Sequence, residues 1–341
     1  MIGVSLGQLV TGPLSEGFGR RQPLIVGLFL MFAGGVVCVS SYSIVFLLIG
    51  RCIQGLGGGV ISALWRSIVR DHFQGEEMAK YVSYLTIIVV VIIPSAPLIG
   101  GYLQHYFSWR ANFAFLVVYA LIALFLVILK FSESNKFCKK YRLRKRFIVC
   151  AFKHLFFNRQ FMGYTTCAFL SYGGFFSWFV IGPVLVIHTL KYSPIAFSWI
   201  TFVTGAVAIG AAGYLNAKLV TRFGISTLLM FGWWSMLVAG LLMFLFKWII
   251  PINLYIIIVP AFIFYFGSAF IWPNVFAAAF KEIGKIAGYA ASLYGLIQIG
   301  GGAAFSTLAS FLPAHNQLPL SLLFIVSPLS AYMVFKAMKL R

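Results

Sequence analysis

The chain has 341 residues, of which 61% are hydrophobic and only 9% are charged, and its mean hydropathy is +0.97. Soluble globular domains carry about 25% charged residues, so this composition excludes that class. A formal net charge of +20 would suit a nucleic-acid partner, but the positions of the charges argue against one.

The apolar runs are nearly continuous and lack the alternation of outer-membrane strands, so they predict membrane-spanning helices. A helix needs about 20 apolar residues to cross a bilayer. On this basis we predict eleven spans, the first of them partial, at residues 1–16, 23–41, 43–66, 81–104, 112–131, 161–185, 196–219, 225–247, 252–278, 287–312 and 318–335. The predicted fold class is an all-α polytopic membrane protein.

The positive charges collect on one side of the predicted bundle. When alternate connections are assigned to opposite sides, 22 of the 26 Lys and Arg residues fall on one side, which the positive-inside rule makes cytoplasmic. The charge therefore indicates topology, and no nucleic-acid partner is expected. We predict a multi-pass protein of the cytoplasmic (inner) membrane with a cytoplasmic C-terminus. Because eleven spans then place Met1 outside, we expect one complete helix and part of the next to be absent from this sequence.

A polar connection separates the first five spans from the last six. Seven of the eleven residues from 136 to 146 are Lys or Arg. We predict an incomplete N-terminal bundle at 1–131, a basic cytoplasmic linker at 132–159 and a C-terminal bundle at 160–341. The 136–146 loop is expected to lie on anionic lipid. The alternative is a basic loop with no specific partner.

The turn between the first two spans reads Gly12-Pro-Leu-Ser-Glu-Gly-Phe-Gly-Arg-Arg21. Glycine permits the close approach and unusual dihedral angles that such a short turn needs. Glu16 can reach Arg20 and Arg21, so the cluster can hold two helices in one arrangement and release them in another. The residues proposed for this cytoplasmic gate are Gly12, Leu14, Glu16, Gly19, Arg20, Arg21, Arg70 and Asp71. For Arg70-Asp71, the alternative is a solvated loop face.

A weak internal repeat supports two bundles. Displaced by 205 residues, three residues of the turn recur: Leu14, Phe18 and Gly19 match Leu219, Phe223 and Gly224. Parallel repeats of six helices are one way in which transporters are built. The repeat therefore predicts a second copy of the turn between the spans at 196–219 and 225–247.

Arg51 lies within the third predicted span and is followed by Gln54 and a glycine run. An Arg at mid-helix costs at least about 2.5–3.5 kcal/mol on insertion scales, so it should face protein, water or a partner. The glycine run offers a smooth face for close helix packing. The alternative is a structural Arg that reaches outward or binds carbonyl oxygens.

The remaining candidates are a kinked helix and a set of aromatic and amide side chains. Pro94, Pro97, Gly100 and Gly101 combine helix bending with a close-packing pair, although a merely kinked helix is the alternative. A substrate surface for an amphipathic, possibly aromatic ligand is predicted from residues near broken helices, namely Tyr172, Trp178, Phe179, Trp272, Asn274, Tyr294 and Gln298. The alternative for each is contact with lipid or neighbouring helices. We find no phosphate-binding loop and no His or Cys spacing for metal, so we expect no cofactor, no metal and no enzyme activity.

Several of these motifs resemble those of the major facilitator superfamily. The turn is similar to its signature loop Gly-x-Leu-Ser-Asp-x-x-Gly-Arg-Arg, with Glu16 in place of Asp and Gly17 in place of the usual Arg. The Arg51 run resembles the Arg-x-x-Gln-Gly pattern of the fourth helix, which is implicated in proton coupling. The segment from Pro94 to Gly101 partly resembles the fifth-helix motif of drug-proton antiporters. The order of the motifs resembles the bicyclomycin/chloramphenicol-resistance type.

This resemblance implies a major facilitator fold of two helical bundles, with about eleven of an expected twelve transmembrane helices present. It implies export of small amphipathic compounds by proton antiport with alternating access, and we expect a monomer. The family's acidic residue of the first helix would fall outside the sequence, so no proton carrier is assigned. The alternative is a truncated remnant that cannot transport.

Overall fold

The structure of the protein is a computed structural model that describes residues 1–72, 92, 95–133, 144–281, 283, 286–313 and 315–338, with the side chains of residues 66, 67, 69–72, 145 and 287 left out. The helices in these residues are α1 (Ile2–Phe18), α2 (Arg21–Val39), α3 (Ile44–His72), α4 (95–106), α5 (Trp109–Lys130), α6 (Lys145–Phe157), α7 (Arg159–Pro183, continued by a π-helical turn at Val184–Thr189), α8 (Pro194–Ile249), α9 (Tyr255–Phe280), α10 (Ala287–Phe311) and α11 (Leu318–Ala337). The described residues contain no strand.

Seven of the described helices are long and apolar enough to cross a membrane, namely α2, α3, α5, α7, α8, α9 and α11. Helix α8 has 56 residues. At 1.5 Å per residue, an unbroken helix of that length would measure about 84 Å, far more than the roughly 30 Å hydrocarbon core. It therefore contains two spans, divided where Gly224 leaves helical geometry at φ 77° and ψ 163°. Its two limbs coincide with the predicted spans at 196–219 and 225–247.

Gly19 and Gly224 share one backbone conformation. Gly19 has φ 89° and ψ −174°, and these are the two glycines with positive φ in the described part of the chain. This region of backbone space is essentially restricted to glycine. The same dihedral pair at positions 205 residues apart supports the internal repeat predicted from sequence.

The chain divides into two compact units. The first comprises Met1–Ile88, Leu103–Phe157 and Ile283–Leu296, and the second comprises Val89–Tyr102, Asn158–Glu282 and Ile297–Arg341. Each unit thus takes one short segment from the other half of the sequence. The boundaries at 131 and 160 stay a prediction.

In the first unit, helices α1 and α3 meet through glycines. Gly3 and Gly7 of α1 face Gly55 and Gly59 of α3, so both helices carry the small-xxx-small spacing that allows backbones to approach closely. A methyl group added at Gly59 would overlap the carbonyl oxygen of Val4 and lie 3.0 Å from the Cα of Gly7. The predicted close-packing face is therefore present and is used against α1.

The second unit has an aromatic core with a few satisfied polar groups. The rings of Phe264 and Phe324 stack at 3.8 Å between centroids. The indole Nε1 of buried Trp233 donates to the Ser171 hydroxyl at 3.2 Å. Such pairing is what burial of a polar group in an apolar core requires.

Candidate functional site

The predicted cytoplasmic turn forms a compact charged cluster. Helix α1 ends at Phe18 and α2 begins at Arg21, so Gly19 and Arg20 make the whole connection. Arg20 is only 2% exposed, and its Nη1 donates to the Ser15 hydroxyl at 2.6 Å. Its Nη2 lies 3.6 Å from the Glu16 carboxylate. The guanidinium is thus held by groups of the preceding helix.

Glu133 joins the end of α5 to the start of α2. Its Oε1 accepts from the backbone N–H of Arg20 at 2.7 Å, and its Oε2 accepts from that of Arg21 at 3.0 Å. The Arg21 guanidinium donates in turn to the carbonyl of Ile128 at 2.9 Å. A carboxylate at a helix N-terminus satisfies amides that have no partner in the helix and complements the helix dipole. Glu133 therefore caps α2 from a distant part of the sequence.

Sequence reasoning missed Glu133, although a signal was present. It is the single acidic residue of the 132–159 linker in a chain with only six Asp and Glu. An acid so close to the cytoplasmic end of a span could have been paired with a neighbouring helix N-terminus.

One face of α1 contacts the first turns of α10 at regular intervals. Added methyl groups at Gly12 and Gly295 would overlap the Ser292 hydroxyl and the Gln8 amide oxygen respectively. A methyl group at Gly288 would lie 2.8 Å from Oε1 of Glu16. The pairs run antiparallel, three to four residues apart on each helix. Since α10 begins at Ala287, the Glu16 carboxylate lies beside a helix N-terminus as well as beside Arg20.

Two further contacts surround this face of α1. The Gln8 amide Nε2 donates to the Ser62 hydroxyl of α3 at 2.8 Å. Leu14 lines an apolar groove of about 200 Å³ with Phe18, Gln22, Pro23, Val26 and Val60.

Arg51 has the polar partner that the sequence predicts for it. Its Nη1 donates to the Gln54 side-chain oxygen at 2.7 Å, and its guanidinium carbon lies 5.5 Å from the centre of the Phe113 ring. Gln54 is buried and Arg51 is exposed. The pair is thus an exposed charge held by a buried amide.

Some predicted residues lie outside the described part of the structure. For Arg70 and Asp71 the helix is described but the side chains are not, and Pro94 is not described at all. Pro97, Gly100 and Gly101 lie in α4. Gly101 is buried, and a methyl group there would overlap the Ser198 hydroxyl of α8, so this glycine permits a close helix contact.

Three of the seven substrate candidates meet in one aromatic cluster of the second unit. The rings of Tyr172 and Trp272 lie 5.8 Å apart, and Phe175 contacts Trp272 at 4.8 Å and Phe179 at 5.6 Å. Phe176 completes the cluster at 4.8 Å from Tyr172. The three candidates are partly exposed, whereas Phe175 is buried behind them.

The other four candidates are placed differently. Trp178 is fully buried, with its indole stacked on Phe197 at 6.2 Å. Asn274 is buried and donates to the Asn216 side-chain oxygen at 2.6 Å. Tyr294 is also buried, and Gln298 is partly exposed on α10. Three of these four, Trp178, Asn274 and Tyr294, are therefore buried, unlike the partly exposed rings of Tyr172, Phe179 and Trp272.

A comparison of the sequence with profiles of known families assigns the chain to a family. The profile described as "Major Facilitator Superfamily" matches residues 1–309. The chain belongs to the Major Facilitator Superfamily. The family and the all-α membrane fold predicted from sequence are thereby confirmed.

Relatives and solved structures agree with this membership. The chain is 27% identical to a bicyclomycin resistance protein homolog of Haemophilus influenzae, over 93% of this chain and 79% of the relative. It is 30% identical to multidrug resistance protein D of Escherichia coli, over 93% and 78%. The xylose transporter XylE of E. coli shares the fold with a TM-score of 0.71 at 18% identity, covering 98% of this chain and 85% of that one. By its family, the chain is a multi-pass membrane transporter.

Proposed function

We propose that this superfamily member exports small amphipathic compounds in exchange for protons, by alternating access. The observation that carries the export assignment is the 27–30% identity, over 93% of the chain, to proteins named for bicyclomycin and multidrug resistance. We place the protein in the cytoplasmic (inner) membrane with a cytoplasmic C-terminus, as the positive-inside rule favours, and we expect it to be a monomer.

The turn cluster is the proposed latch of the cycle. The contacts of Gln8, Gly12 and Glu16 with the first turns of α10 form one antiparallel seam. When this seam opens, Glu16 loses the α10 N-terminus but keeps Arg20 as a partner, so its charge remains compensated. Glu133 holds the start of α2 in place on either side of the change. The cluster can therefore alternate between two arrangements without leaving a buried charge alone.

Arg51 and Gln54 are the proposed proton-coupling pair. An Arg stays protonated, so Arg51 acts as a positioning residue and does not carry the proton itself. The acidic side chains that the structure describes, Glu16 and Glu133, both lie at the turn between α1 and α2. We therefore assign no proton carrier and propose that the Arg51 charge orients the exchanging group.

The aromatic cluster of Tyr172, Phe179 and Trp272 is the proposed substrate surface. Its rings are partly exposed and rest on buried Phe175, so they offer a rigid apolar face. Aromatic faces also attract cations, which would suit a ligand that is both apolar and positively charged. We expect the seven candidates to contribute unequally, with the buried Trp178 supporting the cluster rather than contacting the ligand.

The test is uptake into everted membrane vesicles that contain the chain and carry an imposed inside-acid pH gradient. We expect a lipophilic cationic dye to accumulate and a protonophore to abolish the accumulation. Vesicles without the chain provide the background. Accumulation that survives the protonophore would refute proton antiport, and no accumulation of either the dye or bicyclomycin would favour the transport-incompetent alternative.

The proposed surface is tested separately by Trp272→Ala. Because the cluster would lose one partly exposed ring, we expect a weaker apparent affinity for the dye at unchanged protein abundance. Trp199→Ala removes an exposed indole elsewhere in the same unit and serves as the control. Equal effects of the two changes would contradict the assignment.

A further inference from the structure

Helix α6 carries a mixed apolar and cationic face that is exposed in the described structure. Its inner face is buried through Ala151 (5% exposed) and Leu155 (0%). Phe147 and Phe152 contact the ring of Tyr289 in α10, at 5.8 and 5.7 Å between centroids. The inner side of α6 is therefore packed within the first unit, and its opposite side faces away from that unit.

The outer face of α6 follows the spacing of one helical stripe. Arg146, Val149, Lys153 and Phe156 are separated by intervals of three or four residues and lie on the same side, and Phe157 follows Lys153 by four residues. Val149 is 64% exposed, Phe156 is 55% exposed and Phe157 is 80% exposed. Arg146 and Lys153 are also exposed. Neither water nor hydrocarbon alone would suit such a face, because it joins large apolar groups to permanent charges.

The position of α6 in the chain places its end next to a predicted span. Helix α7 begins at Arg159, and only Asn158 separates it from Phe157. Asn158 caps α7, since its side chain accepts from the N–H of Phe161 at 2.8 Å. Helix α7 is long and apolar enough to cross a membrane, so α6 directly precedes a span in the chain. Phe156 and Phe157 therefore precede the predicted span at 161–185 by only a few residues.

We propose that the outer face of α6 binds anionic phospholipid of the inner leaflet. Val149, Phe156 and Phe157 enter the boundary between headgroups and acyl chains, while Arg146 and Lys153 bind lipid phosphates. Arg146 and Lys153 are the two charges of this face that the structure describes, and the test below concerns these two. The proposal concerns the membrane contact of the chain and is independent of what the protein transports.

Lipid binding at α6 would also affect the turn cluster formed by Ser15, Glu16, Arg20 and Glu133. Tyr289, against which the inner face of α6 packs, is the residue after Gly288, which faces the Glu16 carboxylate. Lipid that holds α6 at the surface therefore also supports the first turn of α10, where the proposed latch closes.

The native Cys150 provides a probe on the exposed side of α6. The full chain, with its other four cysteines replaced by Ala, is labelled at Cys150 with bimane and placed in phosphatidylcholine vesicles. Nitroxide-labelled phosphatidylglycerol or phosphatidylcholine is then added, and the quenching gives the relative association of the two lipids with the α6 surface. Each Lys or Arg near an anionic surface contributes about fivefold, so two give a preference of about thirty-fold for phosphatidylglycerol.

We expect both lipids to quench bimane, and the preference for phosphatidylglycerol to fall towards unity in the Arg146→Gln/Lys153→Gln variant. Lys191→Gln/Lys247→Gln removes the same charge elsewhere and should leave the preference unchanged. In the chain without the two substitutions, 1 M NaCl should also abolish the preference, because the Debye length falls to about 3 Å. Should the double variant fail to fold, this salt measurement tests the proposal instead. Absence of quenching, equal association of the two lipids, or a preference that survives both salt and substitution would overturn the proposal.

Discussion

Glu133 caps the N-terminus of α2, and the geometry of this cap gives the stability that Glu133→Gln should remove. Its two carboxylate oxygens accept from the N–H groups of Arg20 and Arg21 at 2.7 and 3.0 Å. Hydrogen bonds to a charged group contribute about 1.5–3 kcal/mol, and ordinary ones about 1 kcal/mol. Glu133→Gln keeps one acceptor oxygen and loses both the second acceptor and the charge. Because Glu133 is exposed, we take the low end and expect a loss of about 1–2 kcal/mol in the local opening free energy.

Hydrogen exchange, measured by mass spectrometry on the full chain in nanodiscs, reports this loss of local opening free energy at the start of α2. A loss of about 1–2 kcal/mol corresponds to exchange that is about 5- to 30-fold faster at the amides of Arg20 and Arg21. Ser132→Ala changes the neighbouring residue but keeps the carboxylate, and should leave exchange unaltered. Unchanged protection in Glu133→Gln, or equal acceleration in both variants, would show that the carboxylate does not hold the start of α2.

Three further predictions concern the first unit. Glu16→Gln should lower the transport rate in vesicles more than it lowers membrane abundance, because the latch loses its charge; an unchanged rate per protein would contradict the latch. Arg51→Lys keeps the charge but loses the planar fork, so proton-driven efflux should fall while binding of the dye persists; full coupling would reduce Arg51 to a helix anchor. Gly59→Ala should lower the melting temperature in detergent, since overpacking costs about 1–3 kcal/mol, whereas Gly58→Ala, with nothing within 4 Å, should leave it unchanged or raise it. Equal shifts would refute the close contact between α1 and α3.

The spans were predictable because the thickness of a bilayer fixes the length of an apolar run. The division of α8 near residue 224 also followed from the sequence, since the repeat placed a copy of the first turn there. Gly19 and Gly224 reach the same dihedral region because each joins two helices with almost no intervening residues. These features are local or periodic, and a single sequence records them.

The contacts of the candidate site were harder to predict from the sequence. The seam between α1 and α10 joins residues about 280 apart, and nothing in a single sequence pairs Gly12 with Ser292. The aromatic candidates divided by burial, which placed Tyr172 at a surface and Trp178 in the core, although both are aromatic residues of α7. Helix α6 had a usable signal, because its apolar residues recur at helical spacing within the basic linker.

The two turn glycines, Gly19 and Gly224, differ in what opposes an added side chain. At φ 77° and ψ 163°, Gly224 occupies a region that is the mirror image of ordinary extended backbone, and an added methyl group there would meet no atom within 4 Å. The barrier to an L side chain at Gly224 is therefore its backbone conformation alone. At Gly19 the Glu133 carboxylate occupies the space of the methyl group as well. The turn of the second unit thus opposes an L side chain through backbone conformation alone, and that of the first unit opposes it through backbone conformation and the Glu133 carboxylate together.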